Sequence, residues 1–131
     1  MKKTGILHQE LSNTIASMGH GDMLVLSDAG LSIPANVKRI DLAIAPGLPG
    51  LVETGEAIAT ELKVERLVVP DKIEEMCPQI LEAMKKAFGV KEIEKVSLAR
   101  YKELAYNSRA IVRTGEFTPY ANIILVSGIP F

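Results

Sequence analysis

Short, strongly apolar runs of three or four residues recur along this chain and alternate with longer amphipathic segments. The clearest runs are Met23–Leu26, Leu67–Val69, Ala110–Val112 and Ile123–Val126. Continuous runs of this length are typical of strands buried on both faces of a sheet, and the segments between them have helical spacing. The alternation predicts an α/β fold, in which residues 1–131 form a single compact domain with a mostly parallel sheet and helices on both faces.

The amphipathic segments predict the helices, and residues that start or stop helices mark several of their ends. A first helix is expected over Leu7–Met18, with Gly19 as a left-handed cap. Pro78 is expected to open a later helix and Gly89 to end it. Further helices are predicted over 51–62 and 98–105, and further strands over 40–44 and 93–96. The polar loop before the last strand is expected to link two neighbouring core strands.

Composition excludes several classes of partner. The 15 basic and 16 acidic side chains leave a net charge of −1, so nothing in the charge favours nucleic acid or an anionic membrane. Lys2 and Lys3 are not followed by an apolar stretch long enough for export or for a membrane span, which predicts a cytoplasmic protein. A neutral small molecule is the expected substrate.

No cofactor or metal is expected. Cys77 is the only cysteine and is interpreted as a bystander, and the two histidines have no spacing typical of a metal site. The chain also lacks the glycine motifs that bind dinucleotides or phosphates, and it has no Gly-x-Ser-x-Gly sequence. The remaining chemistry is proton transfer on a small polar molecule.

The segment Arg113–Asn122 has the densest set of polar groups, with hydroxyls, an amide, a carboxylate and a guanidinium between two apolar runs. A sugar needs such fixed polar groups together with apolar surface for its C–H faces, and Tyr120 supplies both. The alternative is an exposed turn, because Gly115 and Pro119 are turn-forming residues.

His20 is the candidate acid–base group. It lies in Gly19-His20-Gly21-Asp22, where the glycines leave space and Asp22 is placed to orient the imidazole. The alternative is a histidine that caps the last carbonyls of the preceding helix. Asp28 follows a predicted strand, where it either binds a ligand hydroxyl or forms an Asx turn. Lys102, Arg113, Glu116 and Asp41 are ordinary surface or ion-pair candidates.

From end to end the chain resembles the D-ribose pyranases, small bacterial isomerases that interconvert ring forms of free ribose. Two segments favour them over the related L-fucose mutarotases, namely Asp28-Ala29-Gly30-Leu31 and Thr118-Pro119-Tyr120-Ala121-Asn122. The other matching segments are Lys2–Leu7, Gly19-His20, Ile40-Asp41-Leu42, Pro46-Gly47-Leu48-Pro49 and the rest of 113–125. An L-fucose-type mutarotase and a non-catalytic ribose-binding accessory protein are the alternative functions.

This resemblance implies a site and an assembly. His20 is the implied proton donor, and the implied partner is D-ribose, without cofactor. Where the family often has a second histidine that contacts the sugar, this chain has Leu98, which removes one polar contact. The family also implies a homodecamer of two stacked pentamers, with sites between subunits. The implied sugar-binding residues are Asp28, Lys102, Tyr120, Ala121 and Asn122.

Overall fold

The computed structural model describes residues 1–131 and contains one six-stranded sheet with the order β2-β5-β1-β6-β3-β4. β6 is antiparallel to both of its neighbours, and every other pair of adjacent strands is parallel. The predicted mostly parallel sheet is therefore confirmed. The strands are β1 Met23–Ser27, β2 Arg39–Asp41, β3 Val64–Pro70, β4 Ile93–Val96, β5 Ala110–Arg113 and β6 Ile123–Ser127.

Five helices cover the two faces of the sheet. They are α1 Gln9–Ser17, α2 Leu51–Ala59, α3 Ile73–Met76, α4 Pro78–Phe88 and α5 Leu98–Ala105. Because successive strand residues point to opposite faces, Leu24 and Leu26 belong to the larger apolar cluster with α1, α2 and α4, whereas Val25 belongs to the smaller cluster with α5. Helices on both faces are thus confirmed. None of the helices has the length and apolar character needed to cross a membrane.

The predicted end of the first helix is wrong. α1 ends at Ser17, and Met18 has extended backbone angles, φ −77° and ψ 135°. Gly19 does not cap the helix, because its N–H donates to the Asp22 carboxylate at 2.9 Å and Gly21 takes the positive φ of 83° instead. The later helix behaves as predicted, since α4 begins at Pro78 and ends at a left-handed Gly89.

The loop between β5 and β6 does not link neighbouring strands, because β1 lies between them. It instead crosses the carboxyl end of β1. The N–H of Thr114 donates to the Ser27 carbonyl at 3.1 Å, and the N–H of Ala29 donates to the Glu116 carbonyl at 2.8 Å. This crossing brings the polar segment of the loop over the residues that follow β1.

Gly115 fixes the same loop against a second one, 42–50. Its N–H donates to the Pro49 carbonyl at 2.7 Å, and its carbonyl accepts from Gly47 at 2.6 Å. A Cβ at this position would lie 2.6 Å from the Ala45 carbonyl oxygen and 2.7 Å from the Leu48 nitrogen. Only glycine allows this close approach of the two backbones. The predicted strand 40–44 is shorter in the structure. β2 ends at Asp41, and the N–H of Ile44 donates to the Leu48 carbonyl at 2.9 Å within the loop instead of to a neighbouring strand.

Candidate functional site

A cleft of about 580 Å³ opens at the carboxyl end of β1, a size typical of small-molecule sites. The crossing loop and the first turn of α5 form its walls. The crossing loop is therefore more than an exposed turn. The lining residues are Asp28, Ala29, Gly30, Leu31, Ser32, Leu98, Lys102, Arg113, Glu116, Phe117, Thr118, Pro119, Tyr120 and Asn122.

Asp28 and Asn122 form the polar floor of the cleft. The Asn122 amide Nδ2 donates to Asp28 Oδ2 at 2.9 Å, and the Asp28 N–H donates to Asn122 Oδ1 at 3.1 Å. Asp28 Oδ1 also accepts from the Gly30 N–H at 3.0 Å. Asp28 therefore makes the Asx turn considered for it and also lines the cleft, and its binding of a ligand hydroxyl stays a prediction. A carboxylate has about four acceptor positions, so capacity for a ligand hydroxyl remains.

Glu116 and Arg113 hold the walls in place through contacts within the chain. The Glu116 carboxylate accepts from the Leu51 N–H at 3.2 Å and from the Thr118 hydroxyl at 2.9 Å. Arg113 Nε donates to the Ala29 carbonyl at 3.0 Å, and its Nη1 lies 3.1 Å from Asp41 Oδ2. These contacts use charged groups to fix the loop that carries the cleft.

Tyr120 has a left-handed backbone with φ 64°, the only residue other than glycine with a positive φ. Such conformations are unfavourable for bulky residues and occur at functional sites. Phe117, which sequence reasoning missed, lines the cleft with 67% of its surface exposed. Ala121 is fully buried and does not line the cleft. The cleft thus combines aromatic surface with fixed polar groups.

Leu98 and Lys102 lie one helical turn apart on α5, and both line the cleft. Ser97 caps the helix by accepting the Arg100 N–H at 3.2 Å, which sets where the first turn begins. Leu98 is 39% exposed and adds an apolar contact at a wall that is otherwise polar. Leu98 is therefore part of the cleft.

Tyr101 lies beneath the cleft in the smaller apolar cluster, where it is fully buried. Its hydroxyl has no hydrogen-bond partner. Burial raises the pKa of Tyr101 well above its usual value, and the nearby Asp28 carboxylate adds to the shift. The side chain is thus a neutral phenol in the packed layer under Asp28.

Cys77 is also buried, and its thiol lies 3.7 Å from the Pro119 carbonyl oxygen. Burial raises the pKa of the Cys77 thiol, with smaller contributions from the Glu116 and Asp28 carboxylates. A thiol needs its thiolate form to act as a nucleophile or metal ligand. These surroundings agree with the interpretation of Cys77 as a bystander.

His20 lies at the other end of β1 from the cleft. It precedes the first residue of the strand, whereas Asp28 follows the last one. β1 alone separates this end from Asp28 by more than about 13 Å, because each strand residue advances the chain by about 3.3 Å. Asp28, Lys102, Tyr120 and Asn122 therefore meet in one cleft, whereas His20 of the same chain does not reach it. No group of three or more His, Cys, Asp and Glu side chains lies close enough together to hold a metal ion.

The expected partner of His20 is corrected by the structure. His20 Nε2 lies 2.9 Å from Glu65 Oε2, so neither Asp22 nor the carbonyls of α1 hold the ring. Asp22 instead accepts from the Gly19 N–H at 2.9 Å and pairs with Arg109 at 3.2 Å. The Gly19 N–H and then the Arg109 guanidinium hold the pKa of the Asp22 carboxyl below its usual range. No local sequence signal connects Glu65 with His20, because 45 residues separate them.

Comparison with solved structures places the cleft in a known fold. The chain superimposes on Bacillus subtilis RbsD, solved in complex with D-ribose, with a TM-score of 0.93, 40% identity and full coverage of both chains. The fucose mutarotase of Streptococcus pneumoniae, solved with L-fucose, gives a TM-score of 0.72 at 25% identity and 95% coverage of both chains.

Relatives with curated names agree with this placement. The D-ribose pyranase of Chloroflexus aggregans is 47% identical, and that of Haemophilus influenzae strain KW20 is 44% identical, each over the full length of both chains. The model of the RbsD / FucU transport protein family matches residues 1–130. This chain belongs to the RbsD / FucU family.

Proposed function

We propose that this protein is a cofactor-independent isomerase that interconverts the pyranose, furanose and anomeric forms of free D-ribose. The observation that carries the proposal is the cleft around Asp28 and Asn122, in a chain that matches a ribose-complexed protein over its full length. The names of the pyranase relatives, at 44–47% identity, support the same activity.

The cleft offers each type of group that a pentose needs. Asp28 accepts hydrogen bonds from hydroxyls, and Lys102 donates them. The amide of Asn122 and the phenol of Tyr120 can do both, while Phe117 and Leu98 offer surface to C–H groups. Ala121 lies between Tyr120 and Asn122 in the chain and is buried away from the cleft, so in this proposal it contributes only through the packing that holds these two neighbours in place.

Ring opening of a hemiacetal moves protons and needs no redox step. The bond between the anomeric carbon and the ring oxygen breaks, and its electron pair stays on that oxygen, which His20 protonates. The anomeric hydroxyl gives its proton to water in the open cleft and becomes the aldehyde. The 4-hydroxyl then closes the furanose, or the 5-hydroxyl closes the opposite anomer. Holding the open chain in place supplies the orientation that reclosure needs.

A complete site in this proposal contains the cleft of one subunit and His20 of another, because one chain holds them at opposite ends of β1. The assembly we propose is a homodecamer of two pentamers, working in the cytoplasm on free sugar. This arrangement makes activity depend on assembly.

The experiment that tests the function is ring-form exchange of ribose, followed by NMR with protein at catalytic amounts. Accelerated exchange supports the isomerase, whereas a binding protein leaves the rate unchanged at low stoichiometry. L-fucose is the matched control sugar. A contact of methyl size is worth about 1–3 kcal/mol, so ribose should exchange roughly 10- to 200-fold faster. Equal or faster exchange of fucose would identify a fucose mutarotase instead.

A further inference from the structure

Glu65 directs its carboxylate at His20 from an irregular point in the sheet. In the pairing of β3 with β6, Val64 lies opposite Ser127 and Arg66 lies opposite Val126, so Glu65 is an extra residue in β3. Such a bulge turns a side chain out of the regular alternation of a strand. The result is the 2.9 Å contact between Glu65 Oε2 and His20 Nε2.

The chemistry of this contact determines which nitrogen carries the proton. An ionised carboxylate only accepts hydrogen bonds, so the His20 Nε2 that faces Glu65 must carry hydrogen. The nitrogen that gains and loses a proton is then Nδ1. A Cβ at Gly21 would meet nothing within 4 Å, and one at Gly19 would meet only Asp22 Oδ2, at 3.9 Å. No side chain flanks His20 in the sequence, and 56% of the His20 side chain is exposed, so a ligand can approach the ring.

The other charges near the pair leave this arrangement intact. Arg66 Nη1 lies 3.7 Å from Glu65 Oε1, the oxygen that does not face His20. Arg66 Nε also pairs with Glu94 of β4 at 3.6 Å. On the other side, the carboxylate of Asp22 is engaged by Arg109 and by the Gly19 N–H. Glu65 is therefore the carboxylate that accepts from the imidazole.

We propose that Glu65 is the positioning residue of the reaction, and that it holds His20 with hydrogen on Nε2 so that Nδ1 exchanges the proton with the sugar. This inference rests on the proposed function. In the opening step the Nδ1 proton moves to the ring oxygen as the bond to the anomeric carbon breaks. His20 keeps its Nε2 hydrogen and its bond to Glu65. On reclosure, the attacking hydroxyl returns a proton to Nδ1, and water returns the other proton to the carbonyl oxygen, which becomes the new anomeric hydroxyl.

The first test is the tautomer of His20, read from the nitrogen-15 shifts of the imidazole ring in the assembled protein. The chain has only two histidines, so a His8→Ala variant assigns the signals. The expected parent spectrum of the neutral ring is that of the Nε2–H form. Glu65→Gln should keep this form, because its amide oxygen also accepts, whereas Glu65→Leu should give a mixture of tautomers.

The second test is ribose exchange by the same proteins. Glu65→Leu should lose roughly 10- to 100-fold in the rate at saturating ribose, which is part of the about 10²- to 10⁴-fold that a positioned acid–base group supplies. Glu65→Gln should stay within about threefold of the parent. Glu94→Leu is the matched control, because Glu94 shares Arg66 with Glu65 but does not contact His20.

Two results would overturn the role of Glu65. One is a parent His20 in the Nδ1–H form, which decides the question even if Glu65→Leu does not fold. The other is a folded Glu65→Leu protein that exchanges ribose at the rate of Glu94→Leu. A failure of the proposed function looks different, because the parent itself would then leave ribose exchange unchanged while the tautomer remains measurable.

Discussion

Asp28 and Asn122 are joined by two hydrogen bonds although 94 residues separate them in the chain. One bond runs from the Asn122 side chain to the Asp28 carboxylate, and the other runs from the Asp28 backbone to the Asn122 side chain. The pair ties the end of β1 to the loop that precedes β6. Contacts within the chain therefore hold the polar floor of the cleft, which reduces the cost of ordering it on binding.

Asn122→Asp should damage both stability and exchange. The change removes the donor to Asp28 and places two carboxylates within hydrogen-bond distance, so we expect the free energy of unfolding to fall by about 1–3 kcal/mol. The new carboxylate also alters a group that lines the cleft, so ribose exchange should slow. Chemical unfolding and NMR exchange measure the two effects. Asn13→Asp, on the exposed face of α1, is the control. Equal unfolding of the two variants would show that the pair adds no stability.

His20→Ala should abolish most of the activity without unfolding the protein. The expected loss in exchange rate is about 10²- to 10⁴-fold, with ribose still bound. His8→Ala is the matched histidine control, because His8 Nδ1 caps α1 by accepting the Leu11 N–H at 3.2 Å. That variant should lose about 0.5–2 kcal/mol of stability and keep its turnover per folded site. A rate for His20→Ala within about threefold of the parent would exclude His20 as the proton donor.

Mixed oligomers should recover activity from two inactive variants. If His20 and Asp28 of one site come from different subunits, then unfolding His20→Ala and Asp28→Asn together and refolding them should restore about a quarter of the sites. NMR exchange measures the recovery, and light scattering measures the assembly. The control is a mixture of His20→Ala with the double variant that carries both His20→Ala and Asp28→Asn. This mixture contains no intact His20 and therefore cannot form a complete site. Equal activity in both mixtures, or a fully active monomer, would contradict a shared site.

Tyr101→Phe should make the protein slightly more stable. The Tyr101 hydroxyl is buried without a partner, so its removal relieves an uncompensated desolvation cost of about 1 kcal/mol. The folded pKa of Tyr101 is raised, so the parent should also lose stability as pH rises above about 10, where the unfolded phenol ionises. Unfolding at pH 7 and above pH 10 should show an advantage of the variant that grows with pH. A less stable variant at pH 7 would mean that the hydroxyl has a bound partner.

Cys77 should react slowly with thiol reagents in the native protein. Its thiol is buried and its pKa is raised, so both access and the thiolate fraction are low at pH 8. We expect native labelling to be at least about 100-fold slower than labelling of the denatured chain at the same pH. Raising the pH should increase the labelling rate of native Cys77 less than it increases the labelling rate of a free cysteine. Labelling at comparable rates in both states would show that the layer under Pro119 opens easily.

Much of the fold could be predicted from local patterns, because strand and helix formation depend on the spacing of apolar residues. The apolar runs at Met23–Leu26 and Ile123–Val126 both became central strands. Helix α4 begins at Pro78, whose ring fixes φ at a helical value, and ends at Gly89, which can adopt the left-handed conformation of a helix cap. Gly19 does not cap α1 as predicted, because its N–H donates to the carboxylate of Asp22, three residues later, rather than to the end of the helix.

Strand order and the partners of the polar side chains were decided only by tertiary structure. Insertion of β1 between β5 and β6 places Asn122 on Asp28, and no local pattern contains that choice. The contact of His20 with Glu65 depends on a bulge in β3 and on pairing between distant segments. The sequence by itself determined which groups are available, namely the polar loop, Asp28 and a histidine with a glycine on either side. Packing of the sheet decided which of them meet, because hydrogen bonds and ion pairs depend on distances that the folded chain alone sets.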